Sequence, residues 1–187
     1  MLPDRMPRLA AGPVVLRAFD ERDVDLVRSA AADPMIPLIT TVPASGTYAD
    51  ALAFVERQRG RLAEGVGFSF AIADAASDAA VGQIGLWLRD LPDGRASVGY
   101  WLGPGHRGRG YAAAALRTLT TWALAMPEIA RLQLYVEPSN EASWRLAQRC
   151  GYAREGLLRS WQRVGAERRD MYVYAAVAAD VGRHGRG

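Results

Sequence analysis

Three stretches with strand character stand one behind another ahead of a glycine-rich loop. They read GFSFAIAD (67–74), AAVGQIGLWLRD (79–90) and RASVGYWLG (95–103), separated only by the polar AASD and the turn LPDG. Links this short join antiparallel neighbours, because a parallel pair needs a crossover of roughly a dozen residues or more. The loop GPGHRGRG (103–110) then opens onto YAAAALRTLTTWALAM (111–126), where Ala112, Leu116, Leu119, Ala123 and Met126 recur at helical spacing. A sheet that is already antiparallel before its glycine loop does not belong to the alternating strand–helix folds. The class expected is α+β, with strands and helices mixed along the chain.

The remaining segments fit one domain. VVLRAF (14–19) reads as a strand and DERDVDLVRSAAAD (20–33) as a helix with an acidic start. PMIPLITTVPASG (34–46) is a proline-broken loop, long enough to line a site. Thr47 and Asp50 outline a capping box for a helix expected to run to about Glu64, with Leu52, Val55 and Leu62 facing the core. After the glycine loop and its helix, RLQLYVE (131–137) alternates like a strand. PSNEASWRLAQRCG (138–151) reads as a short helix capped by Asn140 and stopped by Gly151. YAREGLLRSWQRVG and ERRDMYVYAAV close the chain as a hairpin turning near Gly165. The expected organisation is a flexible arm at 1–12, one domain at 13–178 and a flexible tail at 179–187.

Composition removes several chemistries. All 23 basic residues are arginine, so a Walker-type phosphate loop, a Schiff-base lysine and a lysine general base are excluded. A formal net charge of +3 is not that of a strongly basic nucleic-acid protein. Cys150 is the single cysteine, which rules out an intramolecular disulfide and a thiolate cluster, and His106 and His184 lie far apart. No metal is expected. Neither a signal-peptide core nor a bilayer-spanning run is present, so no membrane is expected and the location expected is cytoplasmic.

Two signatures overlap in the loop. Gly103 to Gly108 is a G-x-G-x-x-G, the dinucleotide pattern; Arg107 to Ala112 is an R-x-x-G-x-A. The dinucleotide pattern wants an acid about 20 residues on, and Glu137 comes too late. The second pattern has its own physical sense. Successive N–H groups from Arg107 to Ala112 converge on a pyrophosphate with a helix dipole behind them. Gly108 and Gly110 let the backbone approach closely, and Arg107 and Arg109 supply charge. The plain alternative is a glycine-rich helix entry with two solvated arginines.

VGYWLGPGHRGRGYAAAAL, VEPSNEASWRLAQRCGYAREGLLR and GAERRDMYVYA, in this order and spacing, resemble the GCN5-related N-acetyltransferase (GNAT) family, and in particular its ribosomal-protein N-acetyltransferase branch. The resemblance runs from about residue 14 to 177. It implies one domain whose central, mostly antiparallel twisted sheet splays at an acyl-CoA site and is flanked by helices. It implies an acetyl-CoA-dependent N-acetyltransferase, with acetyl or another acyl group passing directly to a primary amine of a protein N-terminus or a small molecule. Acetyl-CoA and the amine are then the partners, and a homodimer is left open.

The resemblance also assigns roles. Tyr100, Trp101, Leu102 and Gly103 would pair with the pantetheine arm, with the Leu102 amide polarising the thioester carbonyl. Arg107, Gly108, Arg109, Gly110, Tyr111 and Ala112 would hold the diphosphate. Asn140 would bond the pantetheine, Ser143 would donate to the departing thiolate, and Arg149 would reach the 3′-phosphate or adenine edge. Each has a structural counter-reading: strand aromatics for Tyr100 and Trp101, a helix cap for Asn140, a small helix residue for Ser143, a solvated side chain for Arg149. Cys150 is expected to pack rather than react. Ser97, Ala114 and Ala147 stand where relatives carry acids or a tyrosine, so no general base is assigned; Glu137 and Asp170 are nearby carboxylates. LITTVP and Trp161 suggest a partly apolar acceptor pocket. The missing carboxylates also motivate another class, an acyl-CoA-binding module without turnover.

Overall fold

The strands ahead of the glycine loop form the middle of one eight-stranded sheet. In the computed structural model, which describes residues 2–178, its order is β1-β2-β3-β4-β5-β6-β8-β7. The strands are β1 (Leu9–Ala11), β2 (Val14–Arg17), β3 (Gly67–Asp74), β4 (Ala80–Trp87), β5 (Arg95–Leu102), β6 (Arg131–Val136), β7 (Ala153–Val164) and β8 (Glu167–Val177). Every pairing is antiparallel except β5 with β6. That exception follows from sequence, because a helix, α4 (Tyr111–Leu124), lies between those two strands and carries the chain back across the sheet.

Period-two alternation sorts the central strands between two cores. Ile84, Leu86, Ala96 and Val98 join a cluster with Leu116, Leu119 and Ala123 of α4. Trp122 of α4 meets the rings of Phe68 and Phe70 edge-on at 5.0 and 5.6 Å. Helices α1 (Val24–Ala30) and α3 (Tyr48–Gly60) cover the other face, where Val27, Phe54, Val55 and Trp101 are buried together. Helix α5 (Glu141–Arg149) follows β6. No helix of the described residues is long and apolar enough to cross a membrane.

Three local expectations change. The arm read at 1–12 contributes β1, paired to β2 through Leu9–Leu16, Ala10–Val15 and Ala11–Val14; the edge of the sheet supplies hydrogen bonds that the short sequence does not announce. The loop at 34–46 contains a single-turn helix, α2 (Ile36–Ile39), started by Asp33, whose Oδ1 accepts from the N–H groups of Met35 and Ile36 at 2.9 and 3.0 Å. Helix α3 begins at the expected Thr47 cap but ends at Gly60, so Leu62 lies beyond it; Val55 is buried as expected, together with Ala51 and Phe54, while Leu52 is only partly buried. The tail read at 179–187 lies outside the described residues.

Candidate active site

β5 and β6 pair only at their beginnings, Arg95 with Arg131, Ala96 with Leu132 and Ser97 with Gln133. Beyond Ser97, β5 continues to Leu102 with a partner on the β4 side alone. The Gly103 N–H donates to the Val81 carbonyl at 3.0 Å, and the Trp101 carbonyl faces Gly82. Successive peptide groups of a strand point to opposite edges. Tyr100 and Leu102 therefore present their backbone groups to the open edge, whereas Trp101 and Gly103 spend theirs on β4. Of the four residues expected to pair with pantetheine, the fold leaves two in a position to do so. The Trp101 side chain is buried, its Nε1 donating to Gln83 Oε1 at 2.6 Å, so it is a core aromatic.

The loop after β5 makes a 3-10 turn (Pro104–His106), extends at Arg107 and enters α4 through two left-handed glycines, Gly108 at φ +77° and Gly110 at φ +80°. Only glycine takes such backbone without strain. A Cβ placed on either would meet nothing within 4 Å, so both face open space. No side chain caps α4, which leaves its first N–H groups directed at that space with the helix dipole behind them. This is a fit for a diphosphate.

Several side chains of the loop are occupied elsewhere. Arg107 reaches Asp33 Oδ2 at 2.6 Å and ties the loop to the start of α2, so its charge is already partly spent. Burial pushes the Asp33 carboxyl up, but the two N–H groups at α2 and the Arg107 guanidinium together hold it below the usual range. Tyr111 is buried and its hydroxyl donates to Asp74 Oδ2 at 2.7 Å, which pins the start of α4 to the end of β3. That bond, with the Ser77 N–H and hydroxyl, lowers the Asp74 carboxyl to about 2. Ala112 is buried in the first turn, and Arg109 remains exposed beside the two glycines.

Helix α5 brings its N-terminus to the same opening. Asn140 is its cap: Oδ1 accepts from the Ser143 N–H at 3.1 Å, leaving only the side-chain NH2 for a ligand. Ser143 Oγ shares a 2.8 Å hydrogen bond with the Tyr100 hydroxyl, a pairing across 43 positions that no local pattern signals. Burial pushes the Tyr100 phenol up, the bond to Ser143 only partly offsetting it. Arg149 is exposed on the last turn. The Cys150 thiol is pushed up by burial, with its Sγ 3.7 Å from the Ala113 carbonyl, as expected of a packed thiol. Tyr152 is buried against Thr120. Asp170 accepts from the N–H of Ser160, a residue at φ +49°, and braces the β7–β8 hairpin. Among the described residues no group of three or more His, Cys, Asp or Glu side chains is placed to hold a metal ion.

A cavity of about 870 Å³ approaches the open edge from the α3 face. Its floor exists because Gly85 and Gly99 lie directly paired across β4 and β5. The Trp87 indole lies over them: a Cβ at Gly85 would sit 2.2 Å from Cζ2, and one at Gly99 3.6 Å from Nε1. Trp161, stacked on Tyr135 with ring centroids 5.6 Å apart, and the stretch Ile39 to Thr41 form the walls. Arg61, Arg89, Asp90 and Glu137 supply charge, and the far end reaches Asn140 and Ser143. Trp161 and Ile39 to Thr41 of the LITTVP stretch, the segments expected around an acceptor, line this cavity; Trp87 and Arg61 were missed. The available signal was the pair of glycines at alternating positions in strands otherwise rich in large residues.

An acetyltransferase (GNAT) domain model matches residues 14–153. The chain belongs to the GNAT family. It is therefore an acetyl-CoA-dependent N-acetyltransferase by family. It is 26% identical over 170 residues to the uncharacterized N-acetyltransferase p20 of Bacillus licheniformis, a match covering 91% of this chain and 96% of p20. A GNAT acetyltransferase from Bacillus anthracis superposes with a TM-score of 0.79 at 21% identity, over 92% of this chain and 99% of that one. RimL, the ribosomal L7/L12 alpha-N-protein acetyltransferase solved in complex with coenzyme A, does so with a TM-score of 0.78 at 20% identity, over 91% and 98%. The two structural likenesses establish the fold.

Proposed function

We propose that this GNAT protein transfers an acetyl group from acetyl-CoA directly to a primary amine that enters through the cavity on the α3 face. The observation that carries the reading is a convergence. The open edge of β5 carries Tyr100 to the inner end of the cavity, where its hydroxyl meets Ser143 of α5, and the loop that leaves this same strand leads into the uncapped start of α4. The open backbone at Tyr100 and Leu102 takes the pantetheine arm as an added strand. N–H groups between Gly108 and Ala112, with Arg109, hold the diphosphate, and Arg149 serves the 3′-phosphate. The Leu102 N–H donates to the acyl carbonyl oxygen as negative charge gathers there. Ser143, relayed to the neutral Tyr100 phenol, supplies the proton or hydrogen bond to the leaving sulfur. The amine must lose a proton before attack. Glu137, half-buried beside the cavity end, takes it directly or through water. A protein N-terminus and a small amine both fit a cavity of this size.

Release of free thiol from acetyl-CoA in the presence of an amine panel tests the reading. Release that depends on amine is the expected result. Tight coenzyme A binding with no release on any amine would replace it with a non-catalytic acyl-CoA-binding module.

A further inference from the structure

The charges along the acceptor cavity are ordered. Glu137 follows β6 four residues after Gln133, and Trp101 follows Ser97 by the same count, so Glu137 lies at the level of the reacting end of β5. The opposite end is basic. Arg61, just past α3, is half-buried and lines the cavity together with Arg89. Its guanidinium carbon lies 5.0 Å from the centre of the Trp87 ring, and its Nε donates to Gln58 Oε1 at 3.0 Å. Stacking and that one hydrogen bond fix the plane of the group. Neither Nη has a hydrogen-bond partner among the described residues, and no carboxylate there lies within ion-pair distance of Arg61. The acidic groups on this side, Glu64 and Asp90, leave the fork unpaired. Burial first, and then the neighbouring Arg57, push the Arg61 guanidinium down, and Glu64 offsets them only in part.

The floor gives a length. Because the Trp87 indole lies over Gly85 and Gly99, Arg61 stands near the level of Gly99, three residues from Leu102. Three strand residues span roughly 10 Å at about 3.3 Å each. Resting on the acetyltransferase reading, we propose that Arg61 selects acceptors that carry an anionic group, carboxylate or phosphate, displaced roughly 10 Å along the strand direction from the amine to be acetylated. The ammonium end of such a molecule points toward Glu137 and its anion toward the Arg61 fork. A polyamine would set a second cation against Arg61 and is disfavoured.

Calorimetry on the full chain saturated with coenzyme A tests this, using N-acetylated, C-terminally amidated tripeptides that differ only at the third residue: glutamate, phosphoserine, glutamine or lysine. At least one anionic peptide is expected to bind ten times more tightly than the glutamine peptide, and the lysine peptide more weakly than either. The tighter of the two anionic peptides identifies the anion. Arg61→Gln should bring the ratio to about one with coenzyme A affinity unchanged, and Arg61→Lys should restore part of it. Equal binding of all four peptides, no binding of any, or a preference that survives Arg61→Gln overturns the assignment. Thiol release with the free-amine tripeptides is read separately. An anion preference in binding without release on any amine defeats the acetyltransferase reading and leaves the role of Arg61 standing.

Discussion

The hydroxyl of Tyr100 and Oγ of Ser143 lie 2.8 Å apart and join β5 to the first turn of α5 at the inner end of the cavity. The two residues come from opposite sides of the sheet opening, and each fixes the other's rotamer. If the pair supplies the proton to sulfur, Ser143→Ala and Tyr100→Phe should each lower kcat about 10- to 100-fold, with Kd for coenzyme A within about twofold. The double variant should lose little more than either single one, because they act as a unit. Burial raises the Tyr100 phenol, so its neutral form persists above the ordinary phenol value of 10.0. Turnover should therefore show no alkaline fall from this group below about pH 10. Thiol release across pH is the measurement; unaltered kcat in both variants removes the pair from the mechanism.

Gly110 enters α4 at φ +80° with open space where a side chain would go. Gly110→Val should impose about 1–3 kcal/mol of backbone strain and fill the space proposed for the diphosphate. Calorimetry should show coenzyme A affinity reduced more than tenfold. Undiminished affinity would place the diphosphate elsewhere.

Gly85 determines where the Trp87 indole lies, since a Cβ there would stand 2.2 Å from Cζ2. Gly85→Ala should displace the indole at a cost of about 1–3 kcal/mol. The displaced ring takes Arg61 with it, so KM for the amine should rise several-fold while Kd for coenzyme A is kept. A change in coenzyme affinity alone would contradict the separation of the two sides of the sheet.

Asp74 carries a pH dependence whose sign is fixed. Its carboxyl is lowered from 3.8 to about 2, first by the Tyr111 hydroxyl and then by Ser77. The folded value lies below the unfolded one, so the stabilisation is complete above about pH 4 and is lost as pH falls through 2. Thermal melts between pH 2 and 6 should show Asp74→Asn with a shallower acid decline than the parent chain. Parallel declines would show that the Tyr111 contact does not anchor α4.

Much of the scaffold was legible in the residues. Thr47 and Asn140 cap the helices expected of them, and strands stand at 67–74 and 95–102 where GFSFAIAD and RASVGYWLG read as strands. Gly108 and Gly110, read as glycines for close backbone approach, also take left-handed backbone, which the sequence reading does not specify. The β1 strand escaped notice because three residues carry too little pattern, and their partner is supplied by β2. Arg107 read as a phosphate ligand because it sits in the loop, yet Asp33 claims it from 74 positions away.

The sequence by itself determined the element order, the antiparallel run before the loop, the glycine entry to α4 and the family. These rest on interactions between residues a few positions apart, where spacing and allowed φ decide the outcome. Only the tertiary structure decided that β5 leaves β6 after Ser97, that Trp101 turns its backbone to β4 while Leu102 faces the opening, that Tyr100 meets Ser143, and that Trp87 and Arg61 build one end of the cavity. Those relationships join segments far apart in the chain. They are set by which faces bury together and by the space that two paired glycines leave between them, and no local pattern encodes either.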